Sequence, residues 1–216
     1  MVSTASPEST VSWAGVAAPK RLSDYRPFPF AIPRIGLNVV VHQPDSVLVT
    51  ADLDLEPCDQ KVSTPLILSG VDLELVSIAL NGQPLETSSY RLKDELLEIL
   101  APPTQPFTLT TVSRLNPQAN TSLEGLYESG GMLTTQCEAE GFRRITFHPD
   151  RPDVLSRYRV RIEADRERFP VLLSNGNEVH ASALPDDSSR HEVVWEDPFP
   201  KPSYLFALVA GDLREI

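Results

Sequence analysis

The stretch Val47–Leu55, VLVTADLDL, alternates in a way that only a strand can use. Side chains on a strand point to opposite faces in turn, so Val47, Val49, Ala51, Leu53 and Leu55 share one face, while Leu48, Thr50, Asp52 and Asp54 share the other. That is the signature of a strand buried on one side and solvated on the other. The same pattern recurs at Tyr158–Ala164, where Tyr158, Val160, Ile162 and Ala164 alternate with Arg157, Arg159, Arg161 and Glu163. The three arginines read as a solvated face, with an anion site as the alternative. Leu73–Leu80 runs into Asn81-Gly82, a dipeptide suited to a hairpin turn in which both central residues take positive φ. Phe107–Val112, Val171–Leu173 ahead of Asn175-Gly176, Glu192–Trp195 and Tyr204–Val209 supply further strands, and only Pro152–Arg157 looks helical, with proline near its start.

Composition agrees. Twenty prolines stand against ten glycines in 216 residues, a balance that suits turns and sheet edges and breaks helix interiors. The expected fold is mainly β: an open, saddle-shaped antiparallel structure or sandwich with little helix. Residues 1–20, rich in Ser, Thr, Ala and Pro, read as a flexible tail, and residues 21–216 as one β domain. Nineteen Lys and Arg against 30 Asp and Glu give a formal net charge of −11, which argues against binding a nucleic-acid backbone. No apolar run approaches the roughly 20 residues of a membrane span, and the N-terminus lacks the basic-then-apolar layout of a signal peptide. Two cysteines, Cys58 and Cys137, fit a reducing compartment, and the expected location is the cytoplasm.

Local catalytic motifs are missing. His42, His148, His180 and His191 are far apart in sequence, and His191-Glu192-Val193-Val194-Trp195 begins like a zinc-binding H-E-x-x-H helix but ends in Trp. That motif needs two imidazoles four residues apart on one helix face, whereas this segment alternates as a strand. There is no G-x-S-x-G elbow and no glycine-rich phosphate loop. The stretch from Asn120 is more distinctive. If Thr135–Glu140 (TQCEAE) is extended, Gln136, Glu138 and Glu140 share one face and Cys137 and Ala139 the other. An acidic face beside an amide suits a cationic ligand, because carboxylates accept charge-assisted hydrogen bonds from an ammonium group. The residues alone allow a second reading, a solvated acidic face whose carboxylates pair with Arg143 and Arg144.

LEGLYESGG (123–131), TQCEAEGFRRITFHPDRPDVLSRYRVRIEAD (135–165), PVLLSNGN (170–177) and WEDPFPKPSYLFALVAGD (195–212) together resemble the N-terminal domain of the M1 family of zinc metallo-aminopeptidases, bacterial aminopeptidase N type. RLSDYRPFPFAIPRIGLNVVV (21–41) is similar to that domain's opening. The resemblance implies a saddle-shaped β domain packed on a thermolysin-like catalytic domain, with a Q-x-E element reaching into the active site. By that resemblance Glu138 holds the substrate's free α-ammonium and Gln136 lines the same subsite. Glu140 is expected to pair with basic groups, Arg143 and Arg144 to orient the loop, and Cys137 to pack. The resemblance places H-E-x-x-H, G-x-M-E-N and the catalytic Tyr in the next domain, so this chain is expected to have no catalytic or metal-ligating residues, with zinc in the catalytic domain that would be its partner. The alternative is a stand-alone β-sandwich interaction module without peptidase activity.

Overall fold

In the computed structural model, residues 21–59 and 64–214 are described; the expected tail, residues 1–20, lies outside them. Fifteen strands succeed one another: β1 Phe30–Gln43, β2 Ser46–Pro57, β3 Leu66–Ser69, β4 Glu74–Leu80, β5 Gln83–Pro84, β6 Tyr90–Lys93, β7 Leu96–Ile99, β8 Phe107–Leu115, β9 Gly125–Ser129, β10 Met132–Gln136, β11 Leu155–Asp165, β12 Val171–Ser174, β13 Asn177–Ala183, β14 Arg190–Pro202 and β15 Leu208–Gly211. They form an eight-stranded sheet in the order β13-β14-β11-β1-β2-β8-β4-β5, a four-stranded sheet β12-β15-β10-β9 and a three-stranded sheet β3-β7-β6. None closes into a barrel, and the helical elements among the described residues are short 3₁₀ turns, so the mainly β expectation holds.

The large sheet carries out what the alternation dictated. β1 pairs with β2 antiparallel and β2 with β8 antiparallel, in a register that places Ile35 beside Leu53 and Leu53 beside Leu109. The next inward rows are Leu37, Ala51 and Thr111, then Val39, Val49 and Ser113. β11 joins β1 in parallel, extending these rows with Tyr158, Val160 and Ile162. This parallel pair is an exception to the antiparallel rule, and the chain reaches it from β8 by way of β9 and β10 of the four-stranded sheet. The opposite face is a compensated charge ladder: Arg34 with Asp54, Arg159 with Glu196, and Arg161 with Glu163 and Glu192. The three arginines of β11 therefore form the solvated face that periodicity predicted. Burial of the inward rows is nearly complete, and Leu66, Leu68, Leu97 and Ile99 of the three-stranded sheet join Leu126, Leu133, Leu172 and Leu208 of the four-stranded sheet in the same core.

Turn chemistry obeys local rules in part. Asn81 and Gly82 have φ of 51° and 77° and link β4 to β5, the hairpin the dipeptide predicted. Pro33 sits at the irregularity between Ala31 and Arg34 where the β1–β2 register shifts, a place where a missing amide hydrogen is harmless. Two local readings need correction. Pro152–Arg157 is a turn leading into the start of β11, not a helix. Asp153 accepts from both Arg151 Nε and Nη2, at 2.8 and 2.7 Å, and from Tyr25 Oη at 2.8 Å; these contacts and the pairing of β11 on both edges override a weak helical preference. Tyr204–Val209 opens as a 3₁₀ turn over Ser203–Leu205 and becomes strand only at Leu208.

Leu53 is fully buried between Ile35 and Leu109 at the centre of the large sheet. Leu53→Ala is expected to cost about 2–5 kcal/mol through lost burial and the cavity left behind. Urea unfolding checks this as a lower midpoint at unchanged slope; a loss under about 1 kcal/mol would contradict the packing described.

Candidate functional site

β10, paired with β15 on one side and β9 on the other, ends at Gln136, at one end of the four-stranded sheet. Thr135–Glu140 is thus not extended throughout: Glu138, Ala139 and Glu140 form a turn, and the Glu138–Ala139 peptide bond is cis. The turn closes because Gly141 N donates to Cys137 O at 2.9 Å. Cys137 points into the core at 1% exposure, as alternation from Gln136 requires, while Gln136, Glu138, Ala139 and Glu140 are all exposed. Ala139 therefore does not share the face of Cys137. The structure does bring Gln136 and Glu138 together, since Gln136 Oε1 accepts from Glu138 N at 3.2 Å.

Close backbone approach fixes where this turn sits. A Cβ on Gly141 would lie 2.3 Å from Gln136 O and 2.8 Å from Gly125 N; one on Gly125, where φ is +70°, would lie 2.5 Å from Arg144 Cβ. Both glycines are required for the turn to press against β9. Next to them, Phe142 is fully buried and packs edge-on against His148, Tyr158 and Phe206.

The polar mount lies beneath. Asp150, whose side chain is 0% exposed, accepts at Oδ2 from Arg143 N and Nε at 3.1 and 3.0 Å, and at Oδ1 from Ser203 Oγ at 2.7 Å. Its own N–H donates to His148 Nδ1 at 2.9 Å. Arg143 Nη2 also reaches Glu140 at 3.3 Å, and Arg144 pairs with Asp72 and Glu124. Glu140 thus pairs with a basic group, as expected. Asp150, His148 and Ser203 were not singled out by sequence reading. The available signal was polar residues embedded in the apolar segment ITFHPD, where each must find a partner once buried.

Burial shapes two titrations. It pushes the Cys137 thiol up to about 12, with the Asp150 charge adding to the shift. It lowers the His148 imidazole to about 3, Arg143 contributing the rest, so His148 is neutral and accepts at Nδ1. Of the two carboxylates in the turn, Glu140 pairs with Arg143, whereas that of Glu138 has no hydrogen bond or ion pair among the described residues. The turn residues are exposed, and the apolar cleft of about 460 Å³ lined by Phe28, Ile32, Cys58 and Leu155 does not include them. Among the described residues no group of three or more His, Cys, Asp or Glu side chains could hold a metal ion, and His191 lies on β14 bonded to Phe169 O. The zinc that the resemblance implies finds no ligand set among the described residues.

Residues 45–205 match the peptidase M1 N-terminal domain. The chain belongs to that family. Aminopeptidase N of Caulobacter vibrioides is 55% identical over 192 residues, which cover 89% of this chain and 22% of that protein. Aminopeptidase N of Escherichia coli is 53% identical over 148 residues, 68% of this chain and 16% of that protein. The chain thus spans less than a quarter of these relatives. The crystal structure of Legionella pneumophila aminopeptidase A in complex with aspartic acid superposes with a TM-score of 0.82 at 40% identity, over 90% of this chain and 23% of that one. An M1 zinc metallopeptidase from Deinococcus radiodurans, at 16% identity and TM-score 0.71 over 86% of this chain and 43% of that one, shares the fold. No helix among the described residues is long and apolar enough to cross a membrane.

The buried groups make two measurable differences. Neutral His148 binds fewer protons folded than unfolded between about pH 6.5 and 3, so stability is fully present above 6.5 and is lost as pH falls through that window. Urea unfolding at pH 7.5 and 5.5 should show this loss, and His148→Gln should flatten it; an unchanged slope in the variant would remove the assignment. A thiol reagent at pH 8 should modify exposed Cys58 readily in the native state and Cys137 only after denaturant is added.

Proposed function

We propose that this chain is the non-catalytic N-terminal domain of an M1-type zinc metallo-aminopeptidase, and that its Gln136–Glu138 turn contributes recognition of the substrate's free N-terminal amine to the active site of an adjoining catalytic domain. The observation that carries the reading is the exposed Glu138 carboxylate. It stands just past the end of β10 on a turn whose backbone is fixed from below, and none of the described residues neutralises it. The high identity to two proteins named aminopeptidase N supports the same reading.

The chemistry is short. A peptide's α-amino group, with an ordinary pKa near 8, is largely protonated at neutral pH. When the catalytic domain closes over the turn, water leaves and a carboxylate–ammonium pair gains strength in the lower dielectric. Gln136 Oε1, already accepting from Glu138 N, holds that residue's main chain while Glu138 accepts from the ammonium. A peptide with a blocked N-terminus brings no charge and strands the carboxylate, so it is rejected. Fixing the amine also fixes which peptide bond reaches the zinc site, and cleavage begins at the first residue. Zinc in this reading belongs to the catalytic domain, and the enzyme is a cytoplasmic one, in keeping with two unbridged thiols.

In the full-length enzyme, Glu138→Ala is expected to raise KM and lower kcat/KM for an alanyl chromogenic substrate by about 10- to 100-fold, the scale of a lost charge-assisted hydrogen bond. Steady-state kinetics measure it, and unchanged values would remove the site from the proposal.

A further inference from the structure

We infer that Asp150 is a positioning residue for the substrate-facing turn: it sets the placement of Glu138 through Arg143 and through the Ser203 segment. The inference rests on the reading of Glu138 given above. Two flanks of the turn meet at this one carboxylate. On the C-terminal flank, Oδ2 takes both the backbone N and the Nε of Arg143, and the far end of the same guanidinium reaches Glu140, two residues from Glu138. On the other flank, Oδ1 takes Ser203 Oγ. Ser203 opens the 3₁₀ turn that leads into β15, and β15 is paired with β10, the strand that carries Gln136. Asp150 itself is held by the bond from its N–H to His148 Nδ1.

An ionised carboxylate is the group this geometry needs. Three N–H and O–H donors converge on its two oxygens in a place closed to water, and an ionised acid offers acceptors only. An amide in its place would turn two hydrogens either toward the Arg143 N–H groups, which can only donate, or toward Ser203, whose hydroxyl would have to give up its donation and accept instead. Asp150 is not part of the inward rows of the large sheet, whose central row, Tyr158, Ile35, Leu53 and Leu109, packs without it. What Asp150 fixes lies on the two borders of the Gln136–Glu138 turn. A displacement of that turn by about 1 Å, passed on to a bound amine, is enough to cost up to about 100-fold in rate.

The test is a double-mutant cycle in the full-length enzyme with an alanyl chromogenic substrate, comparing wild type, Asp150→Asn, Glu138→Ala and the double variant. The expected result is that Asp150→Asn raises KM about tenfold or more, with kcat changed much less, and that Asp150→Asn adds nothing to kcat/KM once Glu138 is Ala. An Asp150→Asn enzyme that loses thermal stability but keeps its KM would reduce Asp150 to a structural role and overturn the inference. So would an equal loss of kcat/KM in both backgrounds, since Asp150 would then act elsewhere. If Glu138→Ala alone is silent, that single variant rejects the reading of Glu138 and the inference with it. If it impairs KM while Asp150→Asn does not, only the inference fails. Should Asp150→Asn not fold, Ser203→Ala removes one donor to Oδ1 and should raise KM a few-fold in the wild-type background and not in the Glu138→Ala background; equal effects in both would overturn the inference.

Discussion

A buried carboxylate with three donors, Asp150, is the constraint on which the arrangement of the site depends. It is surrounded by Arg143 and His148 from its own stretch of chain and by Ser203 from a distant one. Burying a charge is costly unless every lone pair finds a donor, and here the donors are found at 2.7 to 3.1 Å. Removing one partner from such a buried pair typically costs about 3–5 kcal/mol, because the remaining charge is stranded. Exposed pairs such as Arg34 with Asp54 work in high dielectric and contribute little each. The strong polar interaction therefore sits beneath the site, and the many weak ones lie on the far face of the large sheet.

The sheets supply the frame for that carboxylate. Apolar rows across β11, β1, β2 and β8 lock the register, since a slip of one residue would bring Arg159, Asp52 and Thr110 into the core. Beside that frame β10 pairs with β15 and ends where Gln136 is exposed and Cys137 turns inward. The glycines at 125 and 141 let the turn lie against β9 without a side chain between them. The turn's exposed carboxylate is thus presented by a rigid support, which is how a binding group can be exposed without being loose.

Membership in the peptidase M1 N-terminal domain family gives this frame a context. The chain covers 22% of the Caulobacter aminopeptidase N and 23% of the Legionella aminopeptidase A structure to which it is similar. Glu138, whose carboxylate has no partner among the described residues, is the group that the proposal places in one wall of an active site completed by a second domain.

Period-two alternation was enough to read β2 and β11 from the sequence, and Asn81-Gly82 was enough for its hairpin, because strand faces and positive-φ turns are local properties. The DRPDVL and QCEAEGFR segments were legible as family resemblance, but their geometry was not. The extended reading of Thr135–Glu140 failed after Cys137 because a hydrogen bond from Gly141 and the burial of Cys137 close a turn there. The helical reading of Pro152–Arg157 failed because Arg151, Asp153 and Tyr25 tie the start of that segment into a turn, and pairing with β1 and β14 draws the chain from Leu155 onward into β11. Asp150 was not legible because its importance is not a pattern. The sequence by itself determined which faces are apolar, where chain reversal is easy and which family the chain resembles. Only the tertiary structure decided that Ser203 reaches Asp150, since it stands 53 residues away and long-range folding that no periodicity encodes brings it there, whereas Arg143 and His148, 7 and 2 residues away, meet Asp150 within one local stretch.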